Sequence, residues 1–144
     1  MSRISRSALV SFSAEQMFDL VDDIENYQYF VPFCKSSKIL SRSENEVTAK
    51  LLVAKSGIAK SFTTCNQLDR PNSIELSLVD GPFSSLNGSW TFTELAIDAC
   101  KIELDLQFEF SNKLATLAFA KIFNLLVESM VSAFTKRAKE AYAK

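Results

Sequence analysis

The segment from Cys100 to Phe110 alternates between apolar and polar side chains without a break. A period of two places the apolar side chains on one face of a β-strand and the polar side chains on the other. One dry face and one wet face are typical of an antiparallel sheet that is covered on one side. The chain must therefore supply an apolar layer that packs on this sheet.

Residues 113–142 are predicted to supply that layer as one long helix, after a candidate cap at Ser111 and Asn112. At 1.5 Å per residue this helix would be roughly 40 Å long. Its apolar side chains fall within about 60° of one line on the helix surface, which defines a face to be buried on the sheet. The predicted face consists of Phe119, Ala120, Phe123, Leu126, Val127, Met130, Phe134, Ala138 and Ala141.

The N-terminal half of this helix carries a second group of apolar residues, on or towards the side that faces away from the sheet, which is called the back of the helix. This group consists of Leu114, Leu117, Ala118, Ile122 and Leu125. One interpretation is that it is covered by the loop after the Trp90 strand or by short helices near the N-terminus. The other is that it contacts a membrane surface or a partner.

The remaining segments predict one strand, two short helices and a meander of further strands. Ser13 and Gln16 have the spacing of a capping box, which begins the first short helix. Pro32 ends the second, because the residue before a proline avoids the α region. Residues 81–85 are predicted to be a loop, and Gly81 and Gly88 to let residues 81–88 move. The predicted strands are residues 4–12, 35–42, 47–55, 58–64, 74–78, 86–92 and 100–110.

The chain contains no histidine, which restricts the chemistry that it can perform. Ser-His and Cys-His nucleophile pairs and the usual zinc sites are excluded, and we predict neither catalytic residues nor a metal site. The three cysteines lie far apart without a CxxC pair, which suits a reducing cytoplasm. Cys34 is predicted to be a buried structural thiol, since Lys35 would point to the opposite face of a strand.

Charge is uneven along a chain whose net charge is −1. Residues 33–62 and residues 113–144 each hold six basic residues against two acidic ones. Both segments are interpreted as solvated faces or as surfaces for phosphate, from RNA or from an anionic membrane; DNA is not predicted as a partner. The candidate contact residues are Lys35, Lys38, Lys50, Lys55, Lys60, Lys136, Arg137 and Lys139.

Three blocks, in order, resemble a known family over essentially the whole chain. They are DIENYQYFVPFCKSSKIL, DGPFSSLNGSWTF, and FSNKLA with ESMVSAFTKRAKEAY. Together they are similar to the coenzyme Q-binding, START-like proteins of the polyketide cyclase superfamily, and in particular to the bacterial branch of ribosome-association toxins. The resemblance implies an α+β helix-grip (Bet v 1-like) fold over residues 1–144. In this fold a curved antiparallel sheet of six to seven strands wraps around the long C-terminal helix.

The resemblance also implies a function. The first expectation is non-catalytic binding of ubiquinone or another isoprenoid lipid in an internal cavity, in support of respiratory electron transport, with no cofactor required. The alternative is a toxin, of a toxin–antitoxin type system, that binds the large ribosomal subunit and blocks its joining to the small one. A remote alternative is a cyclase- or aromatase-like enzyme. A cytoplasmic protein, with peripheral contact at the inner membrane, is expected.

A lipid container needs an apolar cavity that is open at one end and has few polar groups. The helix-to-strand junction, the glycine-flanked segment, the Trp90 strand and the long helix each supply apolar candidates for its wall. The predicted cavity residues are Val31, Pro32, Phe33, Phe83, Leu86, Trp90, Phe119, Phe123, Leu126 and Met130.

Overall fold

The computed structural model describes residues 2–111 and 113–142, and for residues 113–116 it describes the backbone alone. Seven antiparallel strands form one sheet in the order β1-β7-β6-β5-β4-β3-β2. The strands are β1 (Ser2–Val10), β2 (Cys34–Arg42), β3 (Glu46–Lys55), β4 (Ile58–Asp69), β5 (Ser73–Asp80), β6 (Phe83–Ala96) and β7 (Ala99–Phe110). The helices are α1 (Ala14–Asp22), a 3₁₀ turn (Ile24–Asn26), α2 (Tyr27–Phe30) and α3 (Lys113–Ala141). The predicted α+β helix-grip fold is confirmed.

Strand β7 lies between β1 and β6 and pairs with both along nearly its whole length. Its even-numbered side chains from Cys100 to Phe108 are buried, as the alternation predicts, and Phe110 is half-buried. The sheet continues from β6 through β5, β4 and β3 to β2, so β1 and β2 are its edges. The dry face of this sheet is the surface on which α3 lies.

Helix α3 buries the predicted face, with Phe134 and Ala138 fully inaccessible to solvent. Ala141 is exposed, because the helix runs past the core at its C-terminal end. From Leu117 to Ala141 this helix is long and apolar enough to cross a membrane by composition. That composition is also typical of a core helix that packs on a sheet.

The back of the N-terminal half of α3 is partly uncovered. Leu117 is 64% exposed and Leu125 is 43% exposed, whereas Ile122 is buried. Ala118 is also exposed. Cover by a loop or by the short helices therefore does not extend to Leu117 and Leu125. The side chain of Leu114 and the candidate cap residue Asn112 lie outside the described residues.

Helix α1 is fixed at both ends by side-chain contacts. The capping box is confirmed: Gln16 N donates to Ser13 Oγ at 3.1 Å, and Ser13 N donates to Gln16 Oε1 at 2.9 Å. At the other end, Arg42 donates from Nη1 to the buried carboxylate of Asp22 at 3.0 Å and from Nη2 to its carbonyl at 3.1 Å. Arg70 also pairs with Asp22, at 3.4 Å. These bonds tie α1 to β2 and to the turn after β4.

The predicted loop over residues 81–85 is confirmed only for Gly81 and Pro82, and its extension to residue 85 and its movement as far as residue 88 are wrong. Strand β6 already begins at Phe83, where Ser85 lies opposite Glu109 and Gly88 lies opposite Leu106. A Cβ atom at Gly88 would overlap the carbonyl oxygen of Asp105 and would lie 2.8 Å from the Cα atom of Leu106. Gly88 is therefore present because two strand backbones approach closely there, not because the chain needs a hinge.

Gly88→Ala is expected to destabilise the fold by about 1–3 kcal/mol, because the added methyl group must displace the backbone of β7. Ser89→Ala, at the next position of the same strand, is the control and should change the free energy of unfolding by less than about 0.5 kcal/mol. Urea unfolding of both variants and the wild type measures the difference. Equal midpoints for the two variants would contradict the close approach of β6 and β7.

Candidate functional site

A small, partly open apolar cavity lies between α3 and the dry face of the sheet. Its volume is about 60 Å³. The lining residues are Ile24, Tyr27, Ala49, Leu51, Phe62, Thr64, Asn66, Leu76, Leu86, Leu104, Leu106, Phe123, Leu126, Val127 and Met130. An apolar cavity that binds benzene has a volume of roughly 150 Å³, and small-molecule pockets usually measure about 300–1,000 Å³. In this conformation the cavity therefore has no room for a quinone ring.

Polar groups in the cavity wall come from three side chains. The hydroxyl of Tyr27 donates to the carbonyl oxygen of Val21, and burial raises the pKa of Tyr27 well above its ordinary value, with a smaller contribution from Asp22. Thr64 Oγ1 donates to Asn66 Oδ1 at 2.9 Å. The tyrosine hydroxyl is therefore engaged, and the Thr64–Asn66 pair provides the remaining polarity.

Asn66 is the most informative polar residue in the cavity. It is only 7% exposed, and no described residue accepts a hydrogen bond from its Nδ2 atom. The fully buried polar side-chain atom without a partner among the described residues is Ser85 Oγ, so Asn66 Nδ2 keeps some contact with solvent and is free to donate to a water molecule or to the oxygen of a ligand. The Thr64–Asn66 pair could have been found from the alternation along β4, because every second residue from Phe62 to Asn66 points to the dry face.

Four of the ten predicted cavity residues line the cavity: Leu86, Phe123, Leu126 and Met130. Phe83 and Phe119 instead belong to a cluster of edge-to-face and stacked rings with Phe62, Phe108, Phe110 and Phe123. Phe83 and Phe108 each lie 4.9 Å from Phe123, measured between ring centroids. Because Phe62 and Phe123 belong to both sets, this cluster forms one wall of the cavity.

The other four predicted cavity residues lie outside the lining. Trp90 is buried against Phe92 and Phe134, and Val31 is buried at the end of α2. Pro32 is exposed, and Phe33 is half-buried beneath Lys55, whose Nζ atom lies 5.1 Å from the ring centroid. A role for any of the ten residues in ligand binding stays a prediction.

Cys34 lies in a setting that suppresses its reactivity. The residue is 5% exposed, and burial raises the pKa of its thiol to about 11. Its Sγ atom lies 3.5 Å from the carbonyl oxygen of Ser36, and Lys35 is exposed. A reactive thiolate needs a cation or a helix N-terminus beside it. Cys34 therefore packs as a small apolar side chain.

The described residues hold no group of three or more Cys, Asp or Glu side chains that could bind a metal ion. The interior offers one amide, one hydroxyl and a bonded phenol, none of which is a strong acid or base near neutral pH. This arrangement can accommodate an apolar group and donate one hydrogen bond to it. It provides no pair of groups for general acid–base chemistry.

The predicted basic contact residues do not form one surface. On strands β2 to β4, Lys38 and Lys50 pair on the outer face of the sheet with Lys35 nearby, and these three define the β2–β4 surface. Lys60 lies opposite the buried Val53 and Lys55 opposite Ile58, so these two lysines belong to the other face of the sheet. Lys38 lies directly opposite Lys50, and the described part of the chain places no carboxylate in an ion pair with any of the five. The second surface lies on the C-terminal half of α3 and contains Lys136, Arg137 and Lys139.

Comparison of sequences places the chain among proteins that span nearly its full length. The family model described as "Polyketide cyclase / dehydrase and lipid transport" matches residues 10–135. The ribosome association toxin RatA of Vibrio cholerae is 57% identical over 99% of this chain and 99% of that protein. The mitochondrial coenzyme Q-binding protein COQ10 homolog B of Xenopus laevis is 31% identical over 97% of this chain and 59% of that protein.

Comparison of structures identifies the same fold in proteins of low sequence identity. A START superfamily protein from Mycobacterium smegmatis has a TM-score of 0.79 and 23% identity, over 96% of this chain and 98% of that one. The Zhui aromatase/cyclase of Streptomyces has a TM-score of 0.83 and 15% identity, over 96% and 93%. These likenesses establish the fold alone. By its sequence and its fold, the chain belongs to the polyketide cyclase/dehydrase and lipid transport family, in the START-like branch that includes the ribosome association toxins.

Proposed function

We propose that this chain binds the large ribosomal subunit and hinders its joining to the small subunit, without catalysing a reaction. The observation that carries the proposal is similarity over 99% of the chain to relatives named ribosome association toxins. The sequence placed quinone binding first and this function second. The order is reversed here because the coenzyme Q-binding relative is much more distant.

The distribution of charge supports a localised contact with RNA. A chain of net charge −1 has little general attraction for a polyanion. The β2–β4 surface and the surface on α3 nevertheless present lysines that no described carboxylate neutralises. Such lysines release counterions when they meet phosphates, so binding should weaken steeply with salt.

The small cavity is consistent with action through the surface. Its roughly 60 Å³ are lined mainly by aromatic and aliphatic side chains. A surface contact needs no occupant there. We further propose that the protein acts in the cytoplasm, where ribosomes are found and where free thiols such as Cys34, Cys65 and Cys100 stay reduced.

The direct test of this function is a subunit-joining assay. Isolated small and large subunits are mixed with increasing amounts of the purified chain and separated on sucrose gradients. We expect the joined ribosome peak to fall and the chain to sediment with the large subunit, with both effects weakening as salt is raised. The proposal would be rejected if a large molar excess of the chain left subunit joining unchanged and the chain sedimented with neither subunit.

An apolar ligand is a second candidate function, favoured by the Nδ2 atom of Asn66, which donates to no described residue, in a mostly apolar cavity. A quinone or another isoprenoid lipid carries oxygen atoms that accept hydrogen bonds on an apolar body. Because the cavity is too small for such a molecule, binding requires that α3 and the sheet separate. The ligand would then gain apolar burial of about 0.8 kcal/mol per CH₂ group.

Asn66→Leu tests this candidate. If the amide anchors a ligand, the substitution should lower the affinity for a short-chain ubiquinone about three- to tenfold, as loss of one hydrogen bond does. Asn87→Leu, on the exposed face of β6, is the control and should leave the affinity unchanged. Native mass spectrometry after titration measures both variants. An unliganded wild-type protein at saturating quinone would remove the cavity from the functional account.

Cys34→Ser is expected to leave subunit joining and ligand affinity unchanged, because the thiol is neutral at pH 8 when its pKa is about 11. For the same reason iodoacetamide should modify Cys34 slowly at pH 8 in the folded protein and rapidly after denaturation. Mass spectrometry of modified peptides follows each cysteine separately. Rapid modification in the folded state, or loss of activity in a folded Cys34→Ser variant, would show that the thiol takes part.

A further inference from the structure

The back of the C-terminal half of α3 forms a continuous surface between strand β1 and helix α2. A groove of about 420 Å³ runs between α3 and β1, where Arg6 and Lys139 line it. A second groove, of about 460 Å³, runs between α3 and α2, where Tyr29 and Arg137 line it. Lys136 lines both grooves and therefore joins them. We call this area, defined by Arg6, Tyr29, Lys136, Arg137 and Lys139, the α3–Tyr29 surface.

Cations outnumber carboxylates on the α3–Tyr29 surface. Arg6 lies 3.5 Å from Glu128, and Arg137 lies 3.9 Å from Glu140, so both pairs are long as well as exposed. Exposed pairs of this kind contribute little and exchange readily with other anions. Lys136 and Lys139 form no ion pair with any residue whose side chain is described. The surface can therefore accept phosphate groups without first breaking a buried contact.

Tyr29 supplies an aromatic ring beside these cations. It is 76% exposed, although the neighbouring aromatics of the same short segment, Tyr27 and Phe30, both pack on Phe134 in the core. Arg137 lies between the two environments, with its Cζ atom 5.3 Å from the centroid of the Phe30 ring. An exposed ring beside a cationic groove is the arrangement on which nucleotide bases stack.

The remaining residues of the grooves favour RNA over a lipid surface. Ser7, Ser132 and Thr135 contribute hydroxyl groups, whereas the exposed leucines of α3, Leu117 and Leu125, lie on its other half. Stable binding to a membrane surface requires a broad apolar face, whereas the apolar side chains of these grooves, such as Val131 and Ala133, are interspersed with cations and hydroxyl groups. Hydroxyl groups and lysines instead match a sugar–phosphate backbone.

We propose that the α3–Tyr29 surface binds a single-stranded segment of RNA, with an unpaired base stacked on Tyr29 and phosphates held by Lys136 and Lys139. A single strand is required because bases inside an RNA helix are not free to stack on a side chain. This inference rests on the proposed function and deepens it, since it identifies the surface that would meet the ribosome and the kind of RNA it would meet there.

The first test measures binding of the full chain to a short fluorescein-labelled poly(A) oligonucleotide by fluorescence anisotropy. Tyr29→Ala should weaken binding about five- to a hundredfold, as expected for loss of one stacked base, whereas Tyr29→Phe should retain it. Circular dichroism confirms that both variants are folded. Absence of binding by the wild type, or equal affinities for Tyr29→Ala and wild type, would overturn the proposal.

The second test separates this surface from the other basic surface. Lys136→Gln combined with Lys139→Gln should reduce the slope of log K against log salt by about 1.4, since each phosphate contact to a single strand contributes about 0.7. Lys38→Gln combined with Lys50→Gln is the matched control and should leave the slope unchanged. The opposite result, with the slope lost only in the control, would place the contact on the β2–β4 surface.

The third test repeats the comparison with large ribosomal subunits and with vesicles rich in phosphatidylglycerol. Weaker sedimentation of Tyr29→Ala with subunits, beside normal sedimentation of Tyr29→Phe, supports the proposal. If the oligonucleotide binds as expected but the wild type never sediments with subunits, the proposed function fails and the RNA-binding surface stands. Binding to vesicles that depends on Lys136 and Lys139, without binding to the oligonucleotide, would overturn the RNA assignment.

Discussion

The contact between α3 and the dry face of the sheet is the interaction on which the rest of the structure depends. A curved seven-stranded sheet with one apolar face is unstable until that face is covered. Helix α3 covers it with Phe119, Phe123, Phe134 and other large side chains that are almost completely buried. The same close packing leaves about 60 Å³ of internal space. Tighter packing of α3 on the sheet therefore stabilises the fold but reduces the volume that is available for a ligand.

The parts of the fold that were predictable from the sequence are those governed by local rules. Strict alternation defined β7, and the Ser13–Gln16 capping box defined the start of α1. The start of β6 at Phe83 was not predictable, because Gly88 was interpreted as a hinge residue. Only the sheet register reveals that this glycine allows a close approach to Leu106 instead. The exposure of Leu117 likewise depends on how far the short helices extend over α3, which is a property of tertiary packing.

The candidate sites were predictable in the same limited sense. The lysines of both basic surfaces are evident in the sequence, but their division into two areas follows from the strand order and from the position of α3. Asn66 was missed because a single polar residue among the inward-facing positions of a strand is a weak signal by itself. Tyr29 was missed because it lies among aromatic residues that are mostly core, and only the fold separates it from Tyr27 and Phe30.

The central claim is that the chain acts through an exterior surface, not through its cavity. Amide hydrogen exchange, followed by mass spectrometry with and without large ribosomal subunits, tests this claim most directly. Slower exchange is expected in peptides that cover α2 and the C-terminal half of α3, with exchange around Thr64 and Asn66 in β4 unchanged. Altered exchange confined to β4 and the cavity wall, with α2 and α3 unaffected, would contradict it.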